Sequence, residues 1–287
     1  MRMLLAIDGS IPVSQTVQPL THLGPLDEVS IVHVLHLPNL EYPLIPPELR
    51  EEASKAIEGT LRADGERLLD QAVAALPQGV GQVHRIHEIG EPSRVILESA
   101  QSTQADLIVI GARGLGPIKE MLLGSVSHRV LLHAPCSTLV VRNPMPALNH
   151  ILIPVEGQED AENILRFLYR LSFNQSVQIT VMTVWPQPQL PFPATLGQSK
   201  QLEERALEHA GEITERIVQE LAQHNVTARA VVGMGEPAFA ILEQAKALQP
   251  DLLIAGSHGR SGVSRFLMGS VSHTLVHRAP CPVLIVR

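Results

Sequence analysis

The stretch GARGLGPIKEMLLGSVSH, residues 111–128, returns 145 residues later as GSHGRSGVSRFLMGSVSH, residues 256–273. Each copy follows a short apolar run that is typical of a buried strand, and each leads into a helical pattern that begins at a serine. Glycines that leave a strand, followed by a glycine and hydroxyls at a helix start, expose backbone N–H groups. These donors and the helix dipole both favour an anion. The repeated stretch therefore predicts a phosphate-binding loop in each half of the chain, and hence a nucleotide-binding protein.

The repeat is wider than this stretch. Gly90-Glu91-Pro92, for example, returns as Gly235-Glu236-Pro237. A period near half of the 287 residues indicates a duplicated domain, because solenoid repeats are several times shorter. Each copy alternates apolar strands with helices, which favours an open parallel sheet with helices on both faces. The prediction is two Rossmann-like α/β domains, 1–143 and 150–287, joined by a short linker.

The elements expected within each copy follow from the same pattern. Ser10 is expected to cap a first helix from 12 to 23, which Pro19 would bend. A long amphipathic stretch runs from 48 to 76, interrupted by Gly59 and Gly65. The predicted strands are 2–8, 28–35, 82–88, 106–110 and 138–142 in the first copy and 150–155, 176–184, 227–232, 251–255 and 282–286 in the second.

Composition and charge exclude several classes of protein. The chain is 45% hydrophobic, as globular proteins are, and no apolar run reaches the roughly 20 residues of a membrane span. A formal net charge of −7 is unfavourable for sequence-independent binding to nucleic acid. Two cysteines make no disulfide framework, and no signal sequence precedes the first strand, so a cytoplasmic location is expected. An anionic ligand must then be held by local amide groups, with or without Mg²⁺.

Taken together, the glycine spacing, Asp8 at the end of the first strand and the Ala-Pro-Cys segment before each last strand resemble the universal stress proteins of the ATP-binding type. The resemblance covers almost the whole chain as two tandem domains. It implies five-stranded parallel sheets in the order 3-2-1-4-5, with ATP over the strand ends. It also implies that the domains pair through their last strands, as an intramolecular pseudo-dimer. A homodimer of whole chains is a further option.

Site residues follow from the resemblance, position by position. Asp8 would contact the ribose and the backbone of Val34 the adenine, with Glu156 and Val184 in their places in the second copy. Because Glu156 is one methylene longer than the usual Asp, the second site is expected to be weaker. The residues expected at the phosphates are Gly111, Gly114, Gly124, Ser125, Val126 and Ser127, then Gly256, Gly259, Gly269, Ser270, Val271 and Ser272, with Arg113 and His258 available to neutralise charge. Two plainer interpretations stay open, namely that Asp8 caps the first helix and that the glycines form ordinary turns.

Three functional classes remain. The leading one is a regulatory protein of the stress response, in which ATP occupancy sets conformation or affinity for a protein partner that the sequence does not identify. The second is a slow ATPase or a nucleotide-transferring enzyme. No P-loop lysine, positioned base or carboxylate pair for Mg²⁺ is evident, so no catalytic residue is expected. The third is a dimerisation module with empty pockets, which the intact glycines disfavour.

Thirteen histidines raise the alternative of a metal site. His33-x2-His36 and His84-x2-His87 have suggestive spacings. Residues three apart on a strand face opposite sides of the sheet, so neither pair is expected to chelate one ion. No metal site formed by protein side chains alone is therefore predicted.

Overall fold

The computed structural model of the chain divides into two compact units, Met1–Pro144 and Met145–Arg287. Both have the α/β fold that the alternating strand and helix patterns predict. Among the described residues, no helix is both long enough and apolar enough to cross a membrane. The residues that the structure describes are 1–39, 46–112, 123–171, 177–186, 196–257 and 268–287, with backbone alone at 47, 48, 196–199 and 202.

The first unit is a five-stranded sheet in the order β3-β2-β1-β4-β5, and every neighbouring pair of strands is parallel. The carboxyl ends of the strands therefore lie along one edge, and the order reverses at β1, where ligands of such sheets bind. The elements are β1 (Arg2–Ile7), α1 (Val13–Val17), β2 (Glu28–Leu35), α2 (Pro47–Ala75), β3 (Gln82–Ile89), α3 (Pro92–Ser102), β4 (Leu107–Gly111), α4 (Ser125–His133) and β5 (Ser137–Val141).

The second unit repeats this topology in the order β8-β7-β6-β9-β10, again with parallel neighbours. The two orders confirm the predicted 3-2-1-4-5 arrangement. The predicted pairing between the two last strands stays a prediction. The elements are β6 (His150–Val155), α5 (Gln158–Leu168), β7 (Gln178–Trp185), α6 (Leu196–Gln223), β8 (Thr227–Met234), α7 (Pro237–Leu248), β9 (Leu252–Gly256), α8 (Ser270–Arg278) and β10 (Val283–Val286).

The core of each unit is formed by its central strands. Leu4 and Leu5 point to opposite faces of β1, and both are fully buried. Ile108 in β4 and Leu152 in β6 are equally inaccessible. Strands covered by helices on both faces need apolar residues at every position, which explains the continuous hydrophobic runs that made these strands recognisable in the sequence.

Two helix predictions in the first unit are wrong. Helix α1 begins at Val13 with no side-chain cap and ends at Val17, where a 3-10 turn takes over because Pro19 has no N–H to donate. Ser10 therefore does not cap it. Helix α2 passes through Gly59 and Gly65 without a break, since the cost of roughly 1 kcal/mol for each glycine is small beside the packing of a 29-residue helix on the sheet.

The repeated Gly-Glu-Pro turn is a helix start. The Glu91 carboxylate accepts hydrogen bonds from the N–H groups of Ser93 and Arg94 at 3.3 and 2.8 Å, and Glu236 caps α7 in the same way. Although partial burial opposes ionisation of Glu91, these bonds and the Ser93 hydroxyl hold the pKa of its carboxyl below the ordinary value. Proline follows at the first helical position, where no N–H is required.

Candidate functional site

The carboxyl end of β4 is fastened to the start of α4 by two short hydrogen bonds. The N–H of Gly124 donates to the carbonyl of Ala112 at 2.7 Å. The hydroxyl of Ser127 donates to the carbonyl of Gly111 at 2.6 Å. These bonds fix the first turn of α4 directly beyond the strand, so that its N-terminus lies at the edge of the sheet where parallel sheets bind ligands.

The second unit repeats this geometry at the end of β9. The N–H of Gly269 donates to the carbonyl of Ser257 at 2.9 Å, and the hydroxyl of Ser272 donates to the carbonyl of Gly256 at 2.7 Å. The second serine of the repeated Ser-Val-Ser segment therefore has the same structural role in both units, apart from any contact with a ligand. It ties the helix to the strand.

Backbone N–H groups are the donors that these helix starts offer to a ligand. Gly124 and Gly269 are the N-cap residues, and neither helix has a side-chain cap. The first helical hydrogen bonds are those from the N–H of His128 to Gly124 and of His273 to Gly269, both 2.9 Å. The three N–H groups before each histidine have no carbonyl in a preceding turn. They belong to Ser125, Val126 and Ser127 in α4 and to Ser270, Val271 and Ser272 in α8.

The hydroxyls of the predicted phosphate site divide into two kinds. Ser127 and Ser272 are buried, and their hydroxyl protons are used by the strand carbonyls. Ser125 and Ser270 are exposed at the first helical position. The predicted role of Ser127 and Ser272 is therefore confined to their backbone N–H groups, whereas Ser125 and Ser270 can also offer a hydroxyl.

Asp8 lies exposed directly after β1. One carboxylate oxygen accepts from both the N–H and the hydroxyl of Ser10, at 2.9 and 2.5 Å. Gly9 between them has φ +74°, a conformation that glycine adopts without strain. Since α1 begins only at Val13 without a side-chain cap, Asp8 does not cap it. The other carboxylate oxygen has no donor among the described residues and belongs to an exposed side chain, so it can accept a hydrogen bond from a ligand hydroxyl.

Val34 and Val184 lie at matching positions near the ends of β2 and β7. The register between β1 and β2 ends at Ile7 and His33, one residue before Val34. The register between β6 and β7 likewise ends at Thr183, one residue before Val184. Both valines continue to pair with the outer strand alone. Their inner edge therefore lies beyond the central strand, where backbone groups are available to a ligand.

The turn after β6 differs from the turn after β1. Gly157 is extended, with φ −177°, whereas Gly9 is left-handed. The N–H of Glu156 donates to the carboxylate of Asp160 at 3.1 Å. Burial raises the pKa of Asp160 to about 6, and the neighbouring Glu156 charge adds to the shift. The expected weakness of the second site assumed equal turns in both units, and this assumption is wrong.

Sequence reasoning missed Asp160. An acidic residue in the first turn of a helix is common, because it stabilises the helix dipole, and the exposed neighbour Glu159 fits that description. The one available signal was a comparison of the repeats, since the first copy has Pro12 at the position of Asp160.

A cavity of about 800 Å³ in the second unit brings the predicted residues together. Its size is typical of small-molecule sites. Met182, Ile213 and Ile241 contribute apolar walls, and Trp185 lies at the end of β7 beside them. Every described residue of the predicted second site lines it: Glu156, Val184, Gly256, Gly269, Ser270, Val271 and Ser272. Arg113, Gly114, His258 and Gly259 lie outside the described residues.

The histidines form a pair that the sequence spacing did not predict. His33 in β2 lies opposite His87 in β3, and their ring centroids are 5.2 Å apart. Glu66 contacts Nδ1 of His87 at 2.7 Å. His33 Nδ1 and His87 Nε2 are buried with no hydrogen-bond partner among the described residues, because Gly65 of α2 packs against both. Burial, assisted by His87, lowers the pKa of His33.

The second unit fills the same position with neutral residues. Thr183 replaces His33 in the register, and its hydroxyl is hydrogen-bonded to the hydroxyl of Thr214 from α6 at 2.9 Å. Val232 lies opposite Thr183, where the first unit has His87. The buried polar groups at this position are therefore satisfied in the second unit and unsatisfied in the first.

Comparison with known proteins identifies the family. The model of the universal stress protein family matches residues 1–142 and 147–287, and the chain belongs to this family. A universal stress protein of Mycobacterium tuberculosis strain H37Rv is 28% identical over 265 residues, which cover 86% of this chain and 82% of that protein. Universal stress protein YxiE of Bacillus subtilis strain 168 is 33% identical over 151 residues, 49% of this chain and 98% of that protein.

The fold is shared with a solved structure over the full length. The crystal structure of a universal stress protein from Archaeoglobus fulgidus DSM 4304 matches with a TM-score of 0.64 at 19% identity, covering 100% of this chain and 96% of that chain. This likeness supports the tandem fold that the repeated sequence predicted.

Proposed function

We propose that this universal stress protein binds an adenine nucleotide, ATP in the first instance, at the carboxyl edge of the sheet in each unit. Occupancy of the sites would then set conformation or affinity for a protein partner. The observation that carries the proposal is the cavity of the second unit, which gathers the strand-end residues, the Gly256 turn and the N-terminus of α8 into one space.

The chemistry of this cavity suits the parts of a nucleotide. The three N–H groups at the start of α8 and the helix dipole favour phosphate. Apolar walls from Met182, Val184 and Ile241 suit a purine ring, whose specificity would come from the backbone beside Val184. Carboxylates at Glu156 and Asp160 suit hydroxyl donors of a ribose. The residues present therefore fit a nucleotide.

The charges around the cavity favour binding of ATP together with Mg²⁺. The described residues that line the cavity include two carboxylates and His209 but no lysine or arginine. A triphosphate would rely on N–H groups and the helix dipole for part of its neutralisation, and an accompanying Mg²⁺ would supply more. We expect ATP affinity to rise with Mg²⁺ for this reason.

The first unit has the same construction, although the loop 113–122 lies outside the described residues. The bond from Ser127 to Gly111 and the bare N-terminus of α4 match their counterparts in the second unit. Asp8 supplies a carboxylate at the end of β1. We therefore propose one nucleotide in each unit.

The test is calorimetric titration of ATP into the whole chain and its glycine variants. Gly124→Val and Gly269→Val each place a branched side chain at an N-cap where backbone must approach phosphate. Each variant is expected to lose one site, so that stoichiometry falls from two to one, and the double variant is expected to bind no ATP.

Matched controls are available within the long helices. Gly59 in α2 and Gly211 in α6 have open space where a side chain would begin, and neither lies at the start of α4 or α8, where phosphate is proposed to bind. Gly59→Val and Gly211→Val make the same chemical change and are expected to keep both sites. Equal ATP binding by the wild type and the Gly124/Gly269 double variant would overturn the proposal.

A further inference from the structure

We propose that Asp160, rather than Glu156, is the residue that recognises the ribose in the cavity of the second unit. The inference rests on the proposed nucleotide binding. It makes the second site selective for nucleotides whose 2′ and 3′ hydroxyls are both unmodified, because a carboxylate accepts two hydroxyl donors and repels a phosphate in their place.

The position of Asp160 is the first support. It lines the same cavity as Glu156 and the start of α8, and it lies on the first turn of α5, directly after β6. The N–H of Glu156 donates to one oxygen of Asp160 at 3.1 Å, which holds the short side chain in place. No donor to its other oxygen is found among the described residues.

The environment of Asp160 is the second support. A carboxylate near a helix start that bonds a neighbouring N–H is ordinarily a cap and is well hydrated. Asp160 instead is half-buried, and burial raises its pKa to about 6. Among the described residues this carboxylate has one donor, the N–H of Glu156, so it gains from any further donor that a ligand brings. A ribose diol brings two.

Comparison of the units is the third support. In the first unit Asp8 follows β1 and precedes the left-handed Gly9. In the second unit Glu156, which is exposed and one methylene longer, precedes the extended Gly157. The first copy has Pro12 where the second has Asp160. The carboxylate for the ribose would thus come from the strand end in the first unit and from the helix start in the second.

The experiment isolates the second site by placing Gly124→Val in every protein used. Calorimetry then compares ATP with 2′-deoxy-ATP and 3′-deoxy-ATP. With Asp160 present, loss of the contacted hydroxyl is expected to weaken binding by about tenfold to hundredfold, as for a hydrogen bond to a charged group. In Asp160→Asn the discrimination is expected to shrink to less than about threefold. Glu159→Gln is the matched control, since it removes a neighbouring charge that does not line the cavity.

A second measurement keeps the proposal testable without relying on a substitution. The pKa of Asp160, followed by NMR of its side-chain carboxyl, is expected to fall when ATP binds, because hydroxyl donors favour the ionised form. If phosphate lay beside Asp160 instead, its pKa would rise.

Three outcomes would overturn the inference. Discrimination that survives in Asp160→Asn but vanishes in Glu156→Gln would assign the ribose to Glu156. A rise in the pKa of Asp160 on ATP binding would place phosphate there. Absence of ATP binding to the Gly124→Val protein would overturn the proposed function of the second site itself, and that result is distinct from binding without hydroxyl discrimination.

Discussion

Gly65→Ala is expected to destabilise the first unit, although alanine is the better helix former. A Cβ at this position would lie 2.5 Å from both His33 Nδ1 and His87 Nε2, about 1 Å closer than ordinary van der Waals contact. Neither ring can easily retreat, since His33 is buried in β2 and His87 is held by Glu66. Overpacking of this kind typically costs about 1–3 kcal/mol.

Gly59→Ala in the same helix supplies the reference. Its Cβ would meet nothing within 4 Å, so the substitution should stabilise by about 1 kcal/mol through helix propensity. Propensity cancels when the two variants are compared, because both glycines lie inside α2. The free energy of unfolding of Gly65→Ala should therefore be lower than that of Gly59→Ala by about 1–3 kcal/mol.

Urea unfolding followed by circular dichroism measures this difference, with the transition of the first unit treated separately if the two units unfold apart. His33→Thr, which installs the residue of the second unit, should restore part of the loss in Gly65→Ala because it removes one of the two clashes. Equal stability of Gly65→Ala and Gly59→Ala would refute the contact between Gly65 and the histidines.

Three further predictions follow from the described contacts. The folded state lowers the pKa of His33, which faces Asp8, Glu66 and His87, because burial favours the neutral ring. The stability that neutral His33 contributes should therefore be complete above the unfolded pKa near 6.5 and be lost as pH falls below it. His33→Thr should make the free energy of unfolding less dependent on pH between 7.5 and 5.5, and an unchanged pH dependence would contradict the lowered pKa of His33. Glu91→Ala removes the cap of α3 and should cost about 1 kcal/mol at pH 7 in urea unfolding, whereas a cost that persists below pH 3 would show that its charge is irrelevant. ATP turnover should be far below the roughly 10 per second that is typical of enzymes, and sustained turnover abolished by the glycine variants would favour the enzyme alternative.

The strands could be predicted because the same pattern occurs twice, whereas their order was implied by the resemblance to the universal stress proteins. Strand β2 and the first residue of helix α4 were predicted correctly, and β1 and β4 were predicted to within one residue at each end. Strands buried on both faces give continuous apolar runs, and glycines mark where they end. The bare N–H groups at the starts of α4 and α8 could also be predicted from the sequence, because they require only a glycine N-cap followed by a helix.

What could not be predicted depends on contacts between distant segments. From the sequence alone, Gly65 is expected to interrupt the helix. The structure shows instead that Gly65 leaves room for His33 and His87, which lie side by side because of the register of β2 with β3. The spacings His33-x2-His36 and His84-x2-His87 correctly gave no pair within one strand, but they could not show that His33 and His87 of two neighbouring strands lie together. The burial of Asp160 likewise depends on the residues that surround it in the folded second unit, where it lines the cavity.

The central claim is that phosphate binds the bare N–H groups at the starts of α4 and α8. Amide NMR spectra of the 31.2 kDa chain, recorded with and without ATP, test it directly. The account predicts that ATP causes the largest amide shifts in two groups of three residues: Ser125, Val126 and Ser127, then Ser270, Val271 and Ser272. ATP binding that leaves these six amides unshifted, or no binding at millimolar ATP, would contradict it.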